Sequence, residues 1–392
     1  MRVFALAALC LGILLWQGFA VADEWLPPKT QTYYSANGRW RLTVVPRSIE
    51  SSLKYFSDKV NGRSNPGAPP RNAERSAHGF MEHLSGRTWE LVWNAPLVND
   101  NNPVSALVSN KGAAVTFDNW GSMGFGDDVV VIYDAHGRKI RNLALLNFLP
   151  KEYIHALPRS VSSIWWSGEH RLSADGKQLT LRVVIPPNPG VALNSEARDY
   201  INIGVDMATG QVTPPRGSDW NRALARAIRV DERMHAQEQA EIAFHNSALG
   251  APDTDNPVPW YRYLVEAFFR MDSDRNDGYP ETKVLPRQGD ADYARLLGYV
   301  KDSLTHPIDD TGAIMFASPD QANLVRVIDE ITTKSPTNAL PHARIYVTVT
   351  PALQAIAAKA VARTGAAFVP LDVTKRIPVR PSPINAQRSQ NH

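Results

Sequence analysis

The stretch Ser173-Ala174-Asp175-Gly176-Lys177-Gln178-Leu179-Thr180-Leu181-Arg182-Val183-Val184-Ile185 decides how the chain is to be read. Its first four residues are turn formers, and they end in the residue that accepts a positive φ at least cost. The residues after them alternate. Leu179, Leu181 and Val183 fall on one side of an extended chain, Thr180 and Arg182 on the other. A period of two following a glycine turn is the pattern of a half-buried strand leaving a hairpin.

The same unit recurs on both sides of this stretch. Ser35-Ala36-Asn37-Gly38 precedes Trp40 to Val45, and Ser109-Asn110-Lys111-Gly112 precedes Ala113 to Phe117. Asp134-Ala135-His136-Gly137 leads into Lys139 to Leu143, and Met207-Ala208-Thr209-Gly210 into Gln211 to Thr213. Residues 23–217 therefore read as a β-rich domain whose antiparallel meander runs from about Gln31 to Pro215. These strand–turn–glycine–strand units resemble blades of secreted bacterial β-propeller-like repeat proteins, the stretch from Val104 to Leu145 most of all. The resemblance implies short sheets of consecutive antiparallel strands. The glycines at 112, 137, 176 and 210 are unevenly spaced and the strands are few, which favours an open or sandwiched meander over a closed ring. Pro66, Pro69 and Pro70, with Asn61 to Asn65 before them, predict a long mobile loop over 57–86.

After Pro215 the period changes to that of helices. Asp219 is placed to cap a helix from about Trp220 to Leu249, ended by the Pro- and Asp-rich Gly250 to Pro259. Helices around Trp260 to Met271 and Ala291 to Leu304 complete a helical connector over 218–304. Residues 305–375 then read as β-α-β-α-β. Strands are expected at Ala313 to Ala317, Ala343 to Val349 and Ala366 to Leu371, with Ser318-Pro319-Asp320-Gln321 and Thr350-Pro351 as helix starts and Gly365 as a helix stop. Such strands pair in parallel. The polar, proline-rich tail 376–392 is expected to be disordered. The fold class is α+β: an antiparallel meander (propeller-blade-like or sandwich), a helical connector and a small α/β unit.

The N-terminus carries an address. Arg2, the apolar run Val3 to Trp16 and the small residues Ala20-Val21-Ala22 form a secretory signal, residues 1–22, with Asp23 as the mature start. The run is shorter than the ~20 apolar residues a membrane span needs. Cys10, the single cysteine, lies inside that signal. The mature chain thus has no cysteine, which excludes disulfides, thiolate metal sites and cysteine nucleophiles. A net charge of +3 over 392 residues is too small to argue for nucleic acid. No later stretch reaches membrane length. The expected location is the periplasm or the medium.

No phosphate loop, zinc-protease helix or nucleophile elbow is present. Three weaker constellations stand out. Asp272, Asp274, Asn276 and Asp277, in a loop closed by Gly278, are similar to the start of an EF-hand loop and could hold calcium. The glycine falls one place late and no closing glutamate follows; the alternative is an acidic turn. Asp118, Asp127 and Asp128, beside Asn119, flank the loop of an expected hairpin. Asp118 and Asp127 would meet at its base as a cation site or an acid/base pair, or simply cap the turn. Ser318, Asp320, Thr348, Thr350 and Asp372 would share the carboxyl edge of the parallel strands, where ligands gather and helix N-termini attract anions. His235 with Glu238, and His245 with Glu241, stand at helical contact spacing and read as surface pairs. The expected function is an exported soluble protein that binds an envelope protein or glycan. The alternatives are a hydrolase of envelope polymers using the acidic loop, and a calcium-stabilised structural protein.

Overall fold

A computed structural model describes residues 25–68, 75–187, 198–271, 279–306 and 312–379. The chain is α+β and divides into two units, residues 1–236 and 237–392. Residues 1–22, read above as a secretory signal, lie outside the described residues.

Among the described residues the first unit is built from three short antiparallel sheets, each in sequence order. Strands β1 (Gln31–Tyr34), β2 (Trp40–Val45), β3 (His78–Ser85) and β4 (Thr88–Pro96) form one. Strands β5 (Ser105–Val108), β6 (Ala114–Phe117), β7 (Val130–Tyr133) and β8 (Lys139–Leu143) form the next. Strands β9 (Arg171–Leu172), β10 (Gln178–Val184) and β11 (Tyr200–Asp206) form the third, and Val212 adds only an isolated bridge to Val205.

The recurring turn has one physical construction. The glycine N–H donates to the carbonyl that opens the turn: Gly38 to Ser35, Gly112 to Ser109, Gly137 to Asp134, Gly176 to Ser173 and Gly210 to Asp206. The opening side chain then accepts from backbone N–H groups across the turn. Ser109 Oγ takes Ala113 N–H, Asp134 Oδ1 takes Arg138 N–H and Ser173 Oγ takes Gln178 N–H. In the fifth case the capping residue is Asp206, one place before the expected Met207. All five glycines have positive φ.

Strands β6 and β7 are buried at every position because both their faces are covered. Val115, Phe117, Val130 and Ile132 pack with Leu179, Leu181, Val183, Ile203 and Val205 of the third sheet. The opposite face, with Ala114, Val131 and Tyr133, packs with Leu42, Val44, Met81 and Trp93 of the first. Helix α2 (Lys151–Ala156) and the start of helix α3 (Ser218–His245) close the third sheet's side of this core through Tyr153, Ala223, Ala227 and Val230. Tyr153 stacks on Trp220 at 5.6 Å.

The loop expected over 57–86 is corrected. Helix α1 (Ser52–Val60) runs into it, capped by Ser51 Oγ accepting from Lys54 N–H, and β3 occupies 78–85. Tyr55 anchors the helix in the interior.

The second unit begins within α3. Helices α4 (Pro257–Met271), α5 (Tyr293–Thr305), α6 (Gln321–Lys334) and α7 (Gln354–Ala362) surround a parallel sheet of β12 (Glu281–Val284), β13 (Ala313–Ala317), β14 (Arg344–Val349) and β15 (Ala367–Asp372). The sheet has four strands where three are expected, since β12 lies inside the span read as helical connector. Side chains of α5, α6 and α7 pack on one face with Ile314, Phe316, Ile345 and Val347. Trp260, Tyr263, Leu264 and Phe268 of α4 pack on the other with Ala313, Met315 and Tyr346. The first residues of the tail are held: Leu249 and Ile377 exchange backbone hydrogen bonds of 2.8 Å. Among the described residues no helix is long and apolar enough to cross a membrane.

Candidate functional site

The acidic loop after β6 holds a buried carboxylate, Asp118. Asp118 takes a left-handed φ of 54°, which turns its side chain inward. Oδ1 accepts from Gly124 N–H at 2.7 Å and from Trp166 Nε1 at 3.0 Å. Trp166 Nε1 also lies 3.2 Å from Oδ2. Burial pushes the carboxyl up to about 7; the bonds from Trp166 and Gly124 oppose that rise, and the charge of Asp128 adds to it. The partner at the loop base is Asp128, where Asp127 is expected. Asn99 Nδ2 ties the two positions together by donating to the carbonyls of Asp118 at 2.8 Å and Asp128 at 2.7 Å. Burial raises Asp128 as well. Asp127 is exposed.

Asn119 extends the network. Its Oδ1 accepts from Asn101 and Asn102 N–H, and its Nδ2 donates to Asp100. Asn101 Nδ2 in turn donates to the Tyr55 hydroxyl of α1 at 2.8 Å. With Asp118 only 3% exposed and engaged by two donors, a substrate has no path to it. The cluster pins a loop to its hairpin through the bonds of Asp118, Asn99 and Asn119, while Asn101 Oδ1 and Asn102 Oδ1 stay buried without a partner among the described residues.

The carboxyl edge of the parallel sheet gathers its expected residues and then uses them internally. Thr348 Oγ1 accepts from Ser318 N–H at 3.3 Å, and Ser318 Oγ from Asp320 N–H at 2.9 Å. Asp320 caps α6 by accepting from Asn323 N–H at 3.0 Å. Thr350 precedes the turn into α7. Asp372 accepts from Thr374 N–H and Oγ1, and these bonds hold its pKa below the usual carboxylate range. Strand order is strictly sequential and three helices share one face. A ligand crevice in such sheets opens where the order reverses, and this sheet has no reversal. The calcium candidates Asp272, Asp274, Asn276 and Asp277 lie outside the described residues.

A site that the sequence reading passes over lies on the outer face of the third sheet. The alternation that buries Leu179, Leu181 and Val183 turns Thr180 and Arg182 outward, and β11 does the same with Tyr200 and Asn202. Register sets Arg182 opposite Asn202 and Thr180 opposite Arg171. These side chains, with Arg198, Asp199 and Glu169, line an open cleft of about 610 Å³. The Arg182 guanidinium sits 4.2 Å over the Tyr200 ring. Below it the ring rests on backbone, since a Cβ at Gly168 would come within 2.5 Å of Tyr200 Cε1. Three guanidinium groups face two carboxylates, of which Asp199 also lies 3.5 Å from Arg226 and Glu169 3.6 Å from Arg171. Tyr200, held between Gly168 and Arg182, fixes one guanidinium beside two others, and together they form a surface for a ligand bearing carboxylate or phosphate groups. Alternation in the sequence is the signal that could have found it: the outward half of the strand that decides the fold carries the site.

No protein-family model matches the chain, and no curated protein matches it. Among solved structures the chain is similar to Sqt1 of Chaetomium thermophilum, at 11% identity and a TM-score of 0.22. That match covers 50% of this chain and 51% of the other, so the chain spans about half the length of that protein. A TM-score of this size carries no argument about fold or function.

Proposed function

We propose that the chain is an exported envelope protein that binds an acidic glycan on the outer face of its third sheet. The supporting observation is the cleft in which Arg182 lies over Tyr200 beside Arg171 and Arg198. Guanidinium groups take the carboxylates or phosphates of an acidic glycan in paired hydrogen bonds, and Tyr200 holds Arg182 in position for this. The three blade-like meanders are the scaffold that holds this face rigid. Export is supported by the signal-like residues 1–22.

The test is calorimetric titration of the chain from Asp23 with oligosaccharides carrying uronic acids, against neutral oligosaccharides of equal length. Binding to the acidic series only, weakened about tenfold by Arg182→Ala or Tyr200→Ala, is expected, since each removes about 1.4 kcal/mol. Equal binding of neutral and acidic ligands, or affinity untouched by both substitutions, would refute the reading.

A further inference from the structure

Two histidines converge on one buried carboxylate at the junction of α2 and α3, and this cluster is unrelated to the cleft. Asp231 and His235 stand one turn apart on α3 and therefore share a face. His155 arrives from the last turn of α2. Its Nδ1 lies 2.5 Å from Asp231 Oδ1, and His235 Nε2 lies 3.4 Å from the same oxygen. The two imidazoles stack with centroids 4.8 Å apart and an interplanar angle of 29°. One nitrogen from each ring and one carboxylate oxygen fall within 4.8 Å of one another.

A salt bridge between the helices needs one histidine. Both imidazoles turn a nitrogen toward the same carboxylate oxygen. A divalent cation suits that convergence, because imidazole nitrogens and a carboxylate oxygen are its ligands. With bonds of about 2.0–2.2 Å, tetrahedral zinc places its ligand atoms roughly 3.4 Å apart, which is the His235–Asp231 separation already present. The remaining adjustment falls on His155 and His235, whose side chains are 41% and 55% exposed, while Asp231 is fixed at 11%. The Arg159 guanidinium donates to the carbonyls of Ile154 and Leu157. Imidazole ligands select zinc-class metals over calcium and magnesium, which prefer all-oxygen shells.

We infer that His155, Asp231 and His235 form a three-ligand site for a zinc-class divalent cation, with the fourth position open to water or to an added ligand. Three protein ligands with one open position is the arrangement of reactive rather than closed structural zinc sites. It clasps α2 to α3 as well.

The experiment uses the tag-free chain from Asp23, stripped with chelator and titrated with zinc chloride by calorimetry. Cobalt(II) replaces zinc in a parallel optical titration. One equivalent should bind, the cobalt form should show the visible absorption of a four-coordinate centre, and zinc should raise the melting temperature where magnesium does not. His155→Ala with His235→Ala should weaken binding roughly 100-fold or more, since it leaves one ligand of three. Asp231→Asn, which keeps the shape, should weaken it also. No stoichiometric binding, or equal affinity in the double variant, would overturn the inference. If the double variant does not fold, His235→Gln alone decides, with the same two outcomes. The result is independent of the cleft, whose test involves neither helix.

Discussion

Replacing Asp118 with asparagine should make the protein more stable, and increasingly so as the pH rises. In the unfolded chain this carboxyl titrates near 3.8; in the folded chain burial holds it at about 7. The folded form keeps the proton, so the residue's contribution is fully present below about pH 4 and is lost as the pH climbs through about 7. A displacement of about three pH units at about 1.36 kcal/mol each puts roughly 4 kcal/mol between the two plateaus. Asparagine accepts from Gly124 and Trp166 as aspartate does, tolerates the positive φ, and does not titrate. The advantage of the variant over the natural chain should therefore grow by roughly 2–3 kcal/mol between pH 5 and pH 8. His170 slopes the other way. It packs on Trp166 at 5.0 Å and Phe117 at 4.4 Å, and burial lowers its pKa to about 4. Its stability is fully present above about 6.5 and is lost as the pH falls toward 4. The two slopes offset each other over that range in the natural chain, and Asp118→Asn should expose the histidine's slope alone. Urea unfolding followed by tryptophan emission reads this directly, because Trp260 is the single described tryptophan of the second unit. Parallel stability curves for the two proteins from pH 5 to pH 8 would show Asp118 ionised at an ordinary pKa and refute the desolvation argument.

Asp118→Ala should behave oppositely. It strands Gly124 N–H and the Trp166 indole and puts alanine at a left-handed φ, a loss of about 3–5 kcal/mol by urea unfolding at pH 5. Gly137→Ala adds a Cβ 2.6 Å from Trp93 Cδ2 at a φ of 77°, and should cost about 2–4 kcal/mol. Gly38→Ala shares the positive φ but meets nothing within 4 Å, so a loss near 1 kcal/mol is expected there; equal losses at both sites would show that the Trp93 contact does not matter.

Where one physical cause fixes a segment, the sequence showed it. Leu179, Leu181 and Val183 alternate because one face of β10 meets the core, and the glycine turns recur because each needs the same positive φ and the same capping oxygen. The α/β unit was legible through Ser318-Pro319-Asp320 and Gly365, whose roles are local. Strand β12 was not. Glu281-Thr282-Lys283 is polar and only Val284 is buried, since the strand sits at an edge with a single neighbour. Tyr55 and Phe56 stand just ahead of a stretch dense in turn formers, and the burial of Tyr55 against Trp120 and Asn101 depends on residues far along the chain. Asp128 replaced Asp127 as the partner of Asp118 because a single residue of hairpin register decides which side chain points inward. The histidine cluster joins positions 155 and 235, and no local spacing announces that.

Strand β10 carries two obligations on alternate residues, and this separates binding from stability. Leu181 has no exposed surface and belongs to the core shared by the second and third sheets. Leu181→Ala should lose about 2–5 kcal/mol by transfer and cavity terms together. Arg182, its neighbour, points outward and meets a ring in solvent; truncating it should change stability by less than about 0.5–1 kcal/mol. A ligand face on the outer side can therefore change its side chains freely so long as the register holds, whereas a slip of one residue would exchange core and cleft at once. The decisive comparison is Arg182→Ala, measured for unfolding and for acidic-oligosaccharide affinity in one preparation. Lost affinity with intact stability assigns the outward face to recognition; a stability loss comparable to that of Leu181→Ala would assign Arg182 to the scaffold and remove the cleft's chief support.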